Sequence, residues 1–190
     1  MSPPVIPRYH HSVQLYEESD AHVRTVGAFV AEGLAAGQPA IVVATARHRE
    51  GIINDLYTRL INCDKAIQAG QLSMLDAAET LRLIMVDDAP DPGRFEKAFS
   101  AAIEHVQQRH GHVPIRVYGE MVDLVCARGL TTAALQLEML GNKLSMQYDV
   151  GILCGYARGR FEESSAFLRD VCSLHSHVVE SDSAPFAKSR

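Results

Sequence analysis

The sequence predicts a three-layer α/β domain with a mostly parallel sheet flanked by helices. Two observations carry this. Short apolar or alternating runs recur along the chain, at His11–Tyr16, Ala40–Ala44, 71–75, 113–118 and 150–156. Longer stretches with the 3.6-residue apolar period of amphipathic helices separate them. Strands alternating with helices pair in parallel through right-handed crossovers, with helices on the sheet faces.

The first strand, His11-Ser12-Val13-Gln14-Leu15-Tyr16, alternates apolar and polar residues. Residues 17–20 form a polar turn, and Ser19 or Asp20 is the expected cap of a helix over 21–36, because a short side-chain oxygen accepts from free N-terminal N–H groups. Gly37 stands where a helix-ending glycine belongs. Residues 40–44 are continuously apolar, as in a strand covered on both faces. Ile52, Ile53, Leu56, Tyr57 and Leu60 mark the next helix, and a short one over 64–69 stops at Gly70. The third strand ends in Asp76, followed by a helix over 79–85 and an acidic, proline-containing loop over 87–92. Asp91 and Pro92 then supply cap and first residue of a helix whose Phe95, Ala98, Phe99, Ala102, Ile103 and Val106 form a regular apolar stripe. After the fourth strand, 122–127 reads as helix or strand. Thr131 or Thr132 caps a helix to about 146, and a helix over 161–175 closes the domain after the fifth strand. The expected organisation is an arm over 1–10, one domain over 11–178 and a flexible tail over 179–190.

The 190 residues suit one medium domain, with ordinary hydrophobic and charged fractions of 47% and 22%. The formal charge of −5 gives no basic excess for displacing counterions from nucleic acid or for holding an anionic membrane. No apolar run approaches the roughly 20 residues of a membrane span, and the first residues lack the apolar stretch of a signal peptide. Cys63, Cys126, Cys154 and Cys172 are irregularly spaced, without a C-x-x-C pair, and read as small buried hydrophobes in a reducing cytoplasm.

In an open parallel sheet, ligands bind beyond the carboxyl ends of the strands. The strand ends here carry Tyr16 with Asp20, Thr45 with His48, Asp76, Tyr118 with Glu120, and Tyr156 with Arg158. From these, Tyr16, Asp20, His48, Tyr118 and Glu120 are the candidate ligand-binding residues. A phosphate loop after the first strand would need glycines, a lysine and a Ser or Thr. The turn reads Glu17-Glu18-Ser19-Asp20 instead, whose acids repel a triphosphate. His11, His175 and His177 form a second candidate cluster. The two-residue spacing of His175 and His177 places them on different helix faces, so packing or hydrogen bonding is the expected role, and no metal site or cofactor is expected. Neither G-x-S-x-G nor H-E-x-x-H occurs, and no catalytic constellation is assigned.

The sequence resembles the MEDS domain, a sensory domain of methanogens, methylotrophs and the dichloromethane-dehalogenase repressor. The resemblance spans about residues 9–178. It is carried by His11-Ser12-Val13-Gln14-Leu15-Tyr16 with Asp20, the run from Phe29 to Gly37, and Ile41-Val42-Val43-Ala44-Thr45 with His48. It continues through Ala69-Gly70-Gln71-Leu72, Leu75-Asp76-Ala77, Tyr118-Gly119-Glu120-Met121-Val122, Leu137-Glu138 and Cys172-x-x-His175-Ser176-His177. The resemblance implies a RecA/KaiC-like core, here without a phosphate loop, and the sensing of small molecules such as hydrocarbon derivatives upstream of transcription or a histidine kinase. Family members commonly carry a DNA-binding or kinase region in the same chain. This length leaves room for neither, so the expectation is a signal passed to another protein.

The leading functional expectation is therefore a non-catalytic, cytoplasmic sensory module. It would bind an unknown small molecule, or a signalling partner such as a histidine kinase or transcription regulator, at the strand ends. Direct nucleic-acid and membrane contacts are not expected. One alternative is an enzyme, either a residual nucleotide-binding phosphotransferase or a metal-dependent hydrolase using the His, Cys and Glu residues. Another is an interaction scaffold, with a homodimer left open by the 95–106 stripe.

Overall fold

The computed structural model describes residues 11–161 and 165–180. The expected arm over 1–10 and the last ten residues of the expected tail lie outside them. Six strands form one parallel sheet: β1 (His11–Tyr16), β2 (Ala40–Ala44), β3 (Leu72–Asp76), β6 (Ile115–Gly119), β7 (Val150–Ala157) and β8 (His177–Glu180). Their order is β3-β2-β6-β7-β1-β8. The two-residue strands β4 (Met85–Val86) and β5 (Ala89–Pro90) make a separate hairpin. This hairpin replaces part of the expected acidic loop, and its turn residues Asp87 and Asp88 both adopt positive φ, 46° and 62°, as a tight hairpin turn requires.

Helices α1 (Ser19–Ala35), α2 (Ala46–Thr58) and α3 (Cys63–Gln68) pack on one face. Their Val26, Phe29, Val30, Ile52, Leu56 and Cys63 bury against Ala40, Val42, Leu72 and Leu153 of the sheet. The other face carries α4 (Ala77–Ile84), α5 (Pro92–His110), α6 (Met121–Ala127), α7 (Thr131–Gln147) and α8 (Ala166–Leu174), packed on Val13, Leu15, Ile41, Val43, Val117 and Ile152. A 3₁₀ turn (Arg158–Arg160) follows β7. Right-handed crossovers explain the partition. From β1 to β3 the chain steps one way across the sheet, and from β3 onward it steps back. The reversal sends the later helices to the opposite face.

Helix ends follow local chemistry in part. Gly37 (φ 73°) closes α1: its N–H donates to Leu34 O, and that of Gln38 to Gly33 O, a Schellman pair that any side chain at Gly37 would strain. Asp91 caps α5 as expected, and Asp76 caps α4 by accepting from Glu79 N at 2.9 Å. Two expected caps are corrected. Glu18 occupies the α1 cap position without a side-chain bond, because Ser19 Oγ is turned to His48. Leu130 precedes α7, so neither Thr131 nor Thr132 caps it.

Other corrections concern edges. The open segment over 122–127 is helix α6. The closing helix begins at Ala166 and gives way to β8, which pairs with β1 and converts residues 179 and 180 of the expected tail into strand. Val178 and Val179 are too short a run to announce a strand by themselves. The α5 stripe points inward: Phe95, Phe99, Ile103 and Val106 are buried in the core, so its apolar width is used within the domain. Among the described residues, no helix is long and apolar enough to cross a membrane.

Ile103 is fully buried, whereas Leu83 on α4 is 66% exposed. Ile103→Ala should lower unfolding free energy by about 2–5 kcal/mol, and Leu83→Ala should stay within about 0.5 kcal/mol. Urea unfolding followed by far-ultraviolet circular dichroism measures both.

Candidate functional site

The crevices of such a sheet open where neighbouring strands send their helices to opposite faces. Here β2 leads to α2 on one face while its neighbour β6 leads to α6 on the other. The strand-end cluster forms there. Glu120 follows β6, its N–H donating to Val43 O of β2 at 3.1 Å. Its carboxylate, 2% exposed, accepts from Thr45 N–H at the start of α2, where the helix dipole favours an anion. His48 Nδ1 lies 2.5 Å from Glu120 Oε2, and Tyr118 Oη lies 3.0 Å from the same oxygen.

The network continues in both directions. His48 Nε2 meets Ser19 Oγ at 2.9 Å. His22, on the buried face of α1, has Nε2 2.6 Å from Tyr118 Oη and donates through Nδ1 to Gln14 Oε1 at 2.8 Å. The Tyr16 ring stacks on His22 with centroids 3.8 Å apart. A hydrogen-bonded chain thus runs Gln14–His22–Tyr118–Glu120–His48–Ser19, from the fully buried centre of β1 to the half-buried rim. It fits against β7 because residue 155 is glycine: a Cβ there would stand 2.8 Å from both His22 Cε1 and Tyr118 Oη.

Burial pushes the Glu120 carboxyl up, but His22, His48 and the Thr45 N–H outweigh it and hold the group well below the usual carboxylate range. Burial pushes His22 down from the ordinary imidazole value, against the pull of Glu120. Burial, with Glu120 as a further contribution, drives the Tyr118 hydroxyl well up. The resting charge state is an anionic Glu120 beside a neutral His22 and a neutral Tyr118. The Tyr118 proton then has two acceptors, His22 Nε2 and Glu120 Oε2, and can serve one at a time.

Of the strand-end residues singled out from sequence, Tyr16, His48, Tyr118 and Glu120 come together. Asp20 does not: it is exposed on the first turn of α1. His22 and Gln14, the inner half of the chain, were missed. His22 lies on the helix face opposite a strand, and the signal that could have found it is a histidine inside an otherwise apolar stripe (Val23, Val26, Phe29, Val30). Asp76 serves as a cap and pairs with Arg49 at 2.8 Å.

The second cluster lies on the other face of the sheet. His11 and His175 meet there, with ring centroids 4.2 Å apart. His177 is exposed, with Nδ1 3.0 Å from Ser176 Oγ, and is not part of it. The centre of this cluster is Glu138 on α7, 1% exposed. Its Oε2 lies 3.2 Å from His11 Nε2, His175 Nε2 and Cys154 Sγ, and Tyr156 Oη donates to its Oε1 at 2.8 Å. Burial again pushes this carboxyl up and the two histidines outweigh it, so Glu138 stays ionised. Burial lowers His175, but Glu138 and the Val171 carbonyl raise it further, and the net shift is upward.

Fold and cluster together define a parallel α/β domain with a buried ionisable network in its strand-end crevice. The chain belongs to the MEDS family: the model for the MEthanogen/methylotroph, DcmR Sensory domain matches residues 10–176. It is thereby a member of a family of sensory domains. No curated protein matches the sequence.

The lowered Glu120 pKa stabilises the fold above the unfolded value of about 4.3 and that contribution is lost as pH falls toward the folded value. Glu120→Gln should destabilise by about 1–3 kcal/mol at neutral pH and show a shallower loss on acidification, measured by urea unfolding from neutral pH down to about pH 3. Gly155→Ala should cost about 1–3 kcal/mol and shift the His22 ring resonances in nuclear magnetic resonance spectra.

Proposed function

We propose that this domain is a non-catalytic sensor whose strand-end network is the responsive element. The observation that carries the reading is the shared Tyr118 proton. A ligand or a regulatory protein that engages His48 and Ser19 at the rim draws His48 away from Glu120. Glu120 then requires another donor, and Tyr118 turns from His22 to supply it. His22 in turn loses its donor and must rearrange against Tyr16 and Gln14. Binding at the rim is thus linked to the packing of α1 on β1. Such a ligand shifts the two arrangements only by its differential affinity for them. A small polar molecule or a carboxylate-bearing partner surface suits the imidazole and hydroxyl presented there. A histidine kinase or transcription regulator is the class of partner that family membership suggests.

A second reading has its own observation. A cavity of about 40 Å³ lies between the sheet and α5–α7, lined mainly by Val43, Phe95, Phe99, Val122 and Leu137, with Glu138 and Cys154 at its border. Its walls suit a small apolar molecule rather than a polar one.

A thermal-shift screen of small polar and apolar compounds, followed by imidazole nuclear magnetic resonance, tests the two. Under the leading reading, stabilising compounds move the His48 and His22 resonances, and His48→Ala weakens them about tenfold or more, the loss of one charge-assisted contact. Compounds that move only methyl and Phe95 or Phe99 resonances support the cavity instead. Unchanged affinity in the Tyr16→Ala, Glu120→Ala double variant would overturn the strand-end reading.

A further inference from the structure

We propose that His11, Glu138, Cys154 and His175 form a binding site for one divalent transition-metal ion of the zinc class. Four ligands of types that such ions favour meet at one point: two imidazoles, a thiol and a carboxylate. Their donor atoms all lie within 4.8 Å of one another. Four of the separations are 3.2 Å: Glu138 Oε2 to His11 Nε2, His175 Nε2 and Cys154 Sγ, and His11 Nε2 to Cys154 Sγ. The edges of a tetrahedron with metal–ligand bonds of about 2.0–2.3 Å measure roughly 3.3–3.8 Å. A shift of a few tenths of an ångström opens those edges to coordination distance.

The outer contacts orient the donors. His11 Nδ1 lies 3.0 Å from Asn142 Oδ1, and the amide is fixed in that sense because its Nδ2 donates to Leu174 O at 2.9 Å. His175 Nδ1 donates to Val171 O at 2.6 Å. Both imidazoles thus hold their Nδ1 proton in a hydrogen bond to an oxygen and turn Nε2 to the centre, the arrangement that metal-ligating histidines use. His175 Nε2 is buried and has no well-formed hydrogen bond, a second and independent sign that the centre is built for something besides these side chains. Tyr156 holds the remaining Glu138 oxygen. Gly141 lets α7 approach the His11 ring: a Cβ there would stand 3.2 Å from Cε1.

Charge balance agrees. A dication with the Glu138 carboxylate and a Cys154 thiolate sums to zero, with both imidazoles neutral. On binding, the Cys154 thiol releases its proton to solvent, the sulfur lone pair forms the metal bond, and any proton on His175 Nε2 leaves likewise. The buried position, with four protein ligands, makes the ion structural: it would tie β1 and β7 to α7 and the end of α8.

Cobalt(II) is the probe. Protein stripped with a chelator and titrated with Co2+ should bind about one ion per chain. It should develop the intense visible bands of tetrahedral cobalt and a near-ultraviolet thiolate-to-cobalt charge-transfer band, both bleached by Zn2+. Cys154→Ser should abolish the charge-transfer band, Cys172→Ser should leave it, and Asn142→Ala should weaken binding about 10–100-fold. The wild-type titration decides even where a variant fails to fold. No saturable binding overturns the proposal, as does binding without the thiolate band, or a band that survives Cys154→Ser. Cobalt lost on His48→Ala instead of Cys154→Ser would place the ion at the strand-end cluster and overturn it equally.

Discussion

An ionised carboxylate inside a protein must be surrounded by donors, and Glu120 and Glu138 impose that demand on this fold, one on each face of its sheet. Glu120 sits beyond the end of β6 on the face covered by α1 and α2. Glu138 sits on α7 over the middle of β7. Much of the remaining polar interior serves one or the other. His22, His48, Tyr118 and the Thr45 amide gather around the first, and His11, His175, Cys154 and Tyr156 around the second. Between them the sheet is apolar. Its two hydrophobic clusters hold the layers together, while the carboxylates fix which segments must meet.

The two centres differ in access. The Glu120 network reaches the rim through His48 and Ser19. The side chains of the Glu138 centre, His11, Glu138, Cys154, Tyr156 and His175, are each more than nine-tenths buried, and Glu138 and Cys154 border the cavity beside α7. A network that reaches the rim suits a response, and a buried one suits a fixed support. The acidic turn at Glu17 and Glu18 stays exposed beside that rim.

Much of the fold could be read from the chain. The continuous apolar run at Ala40–Ala44 and the α5 stripe declare their elements, because burial on two faces or on one leaves different periods. β8 could not be read, since four residues with two valines gain their strand character only by pairing with β1. The Asp87-Asp88 hairpin was hidden likewise, because aspartate tolerates positive φ without announcing it. At the site, residues that end strands were found because topology gathers strand ends. His22, Gln14 and Cys154 were not, because they lie inside elements, where a polar residue looks like an interruption of the pattern. Glu138 stood within a recognised motif, but its partners come from residues 11, 154 and 175, and only the folded chain brings them together.

That long reach has a consequence for how the molecule is made. β1 is the first strand of the sheet to leave the ribosome, yet its neighbours β7 and β8 are the last. During synthesis, at about 5–20 residues per second, the segment from His11 to Tyr16 therefore waits with both edges unpaired until the final quarter of the chain emerges. Contacts so distant in sequence also slow the final closure. Ser12 and Gln14, interspersed among its apolar residues, keep this waiting segment from being a wholly hydrophobic strand, the kind that seeks other chains. The alternation that marks β1 in the sequence is thus also a safeguard for the nascent protein, later absorbed into the buried network when α1 closes over it.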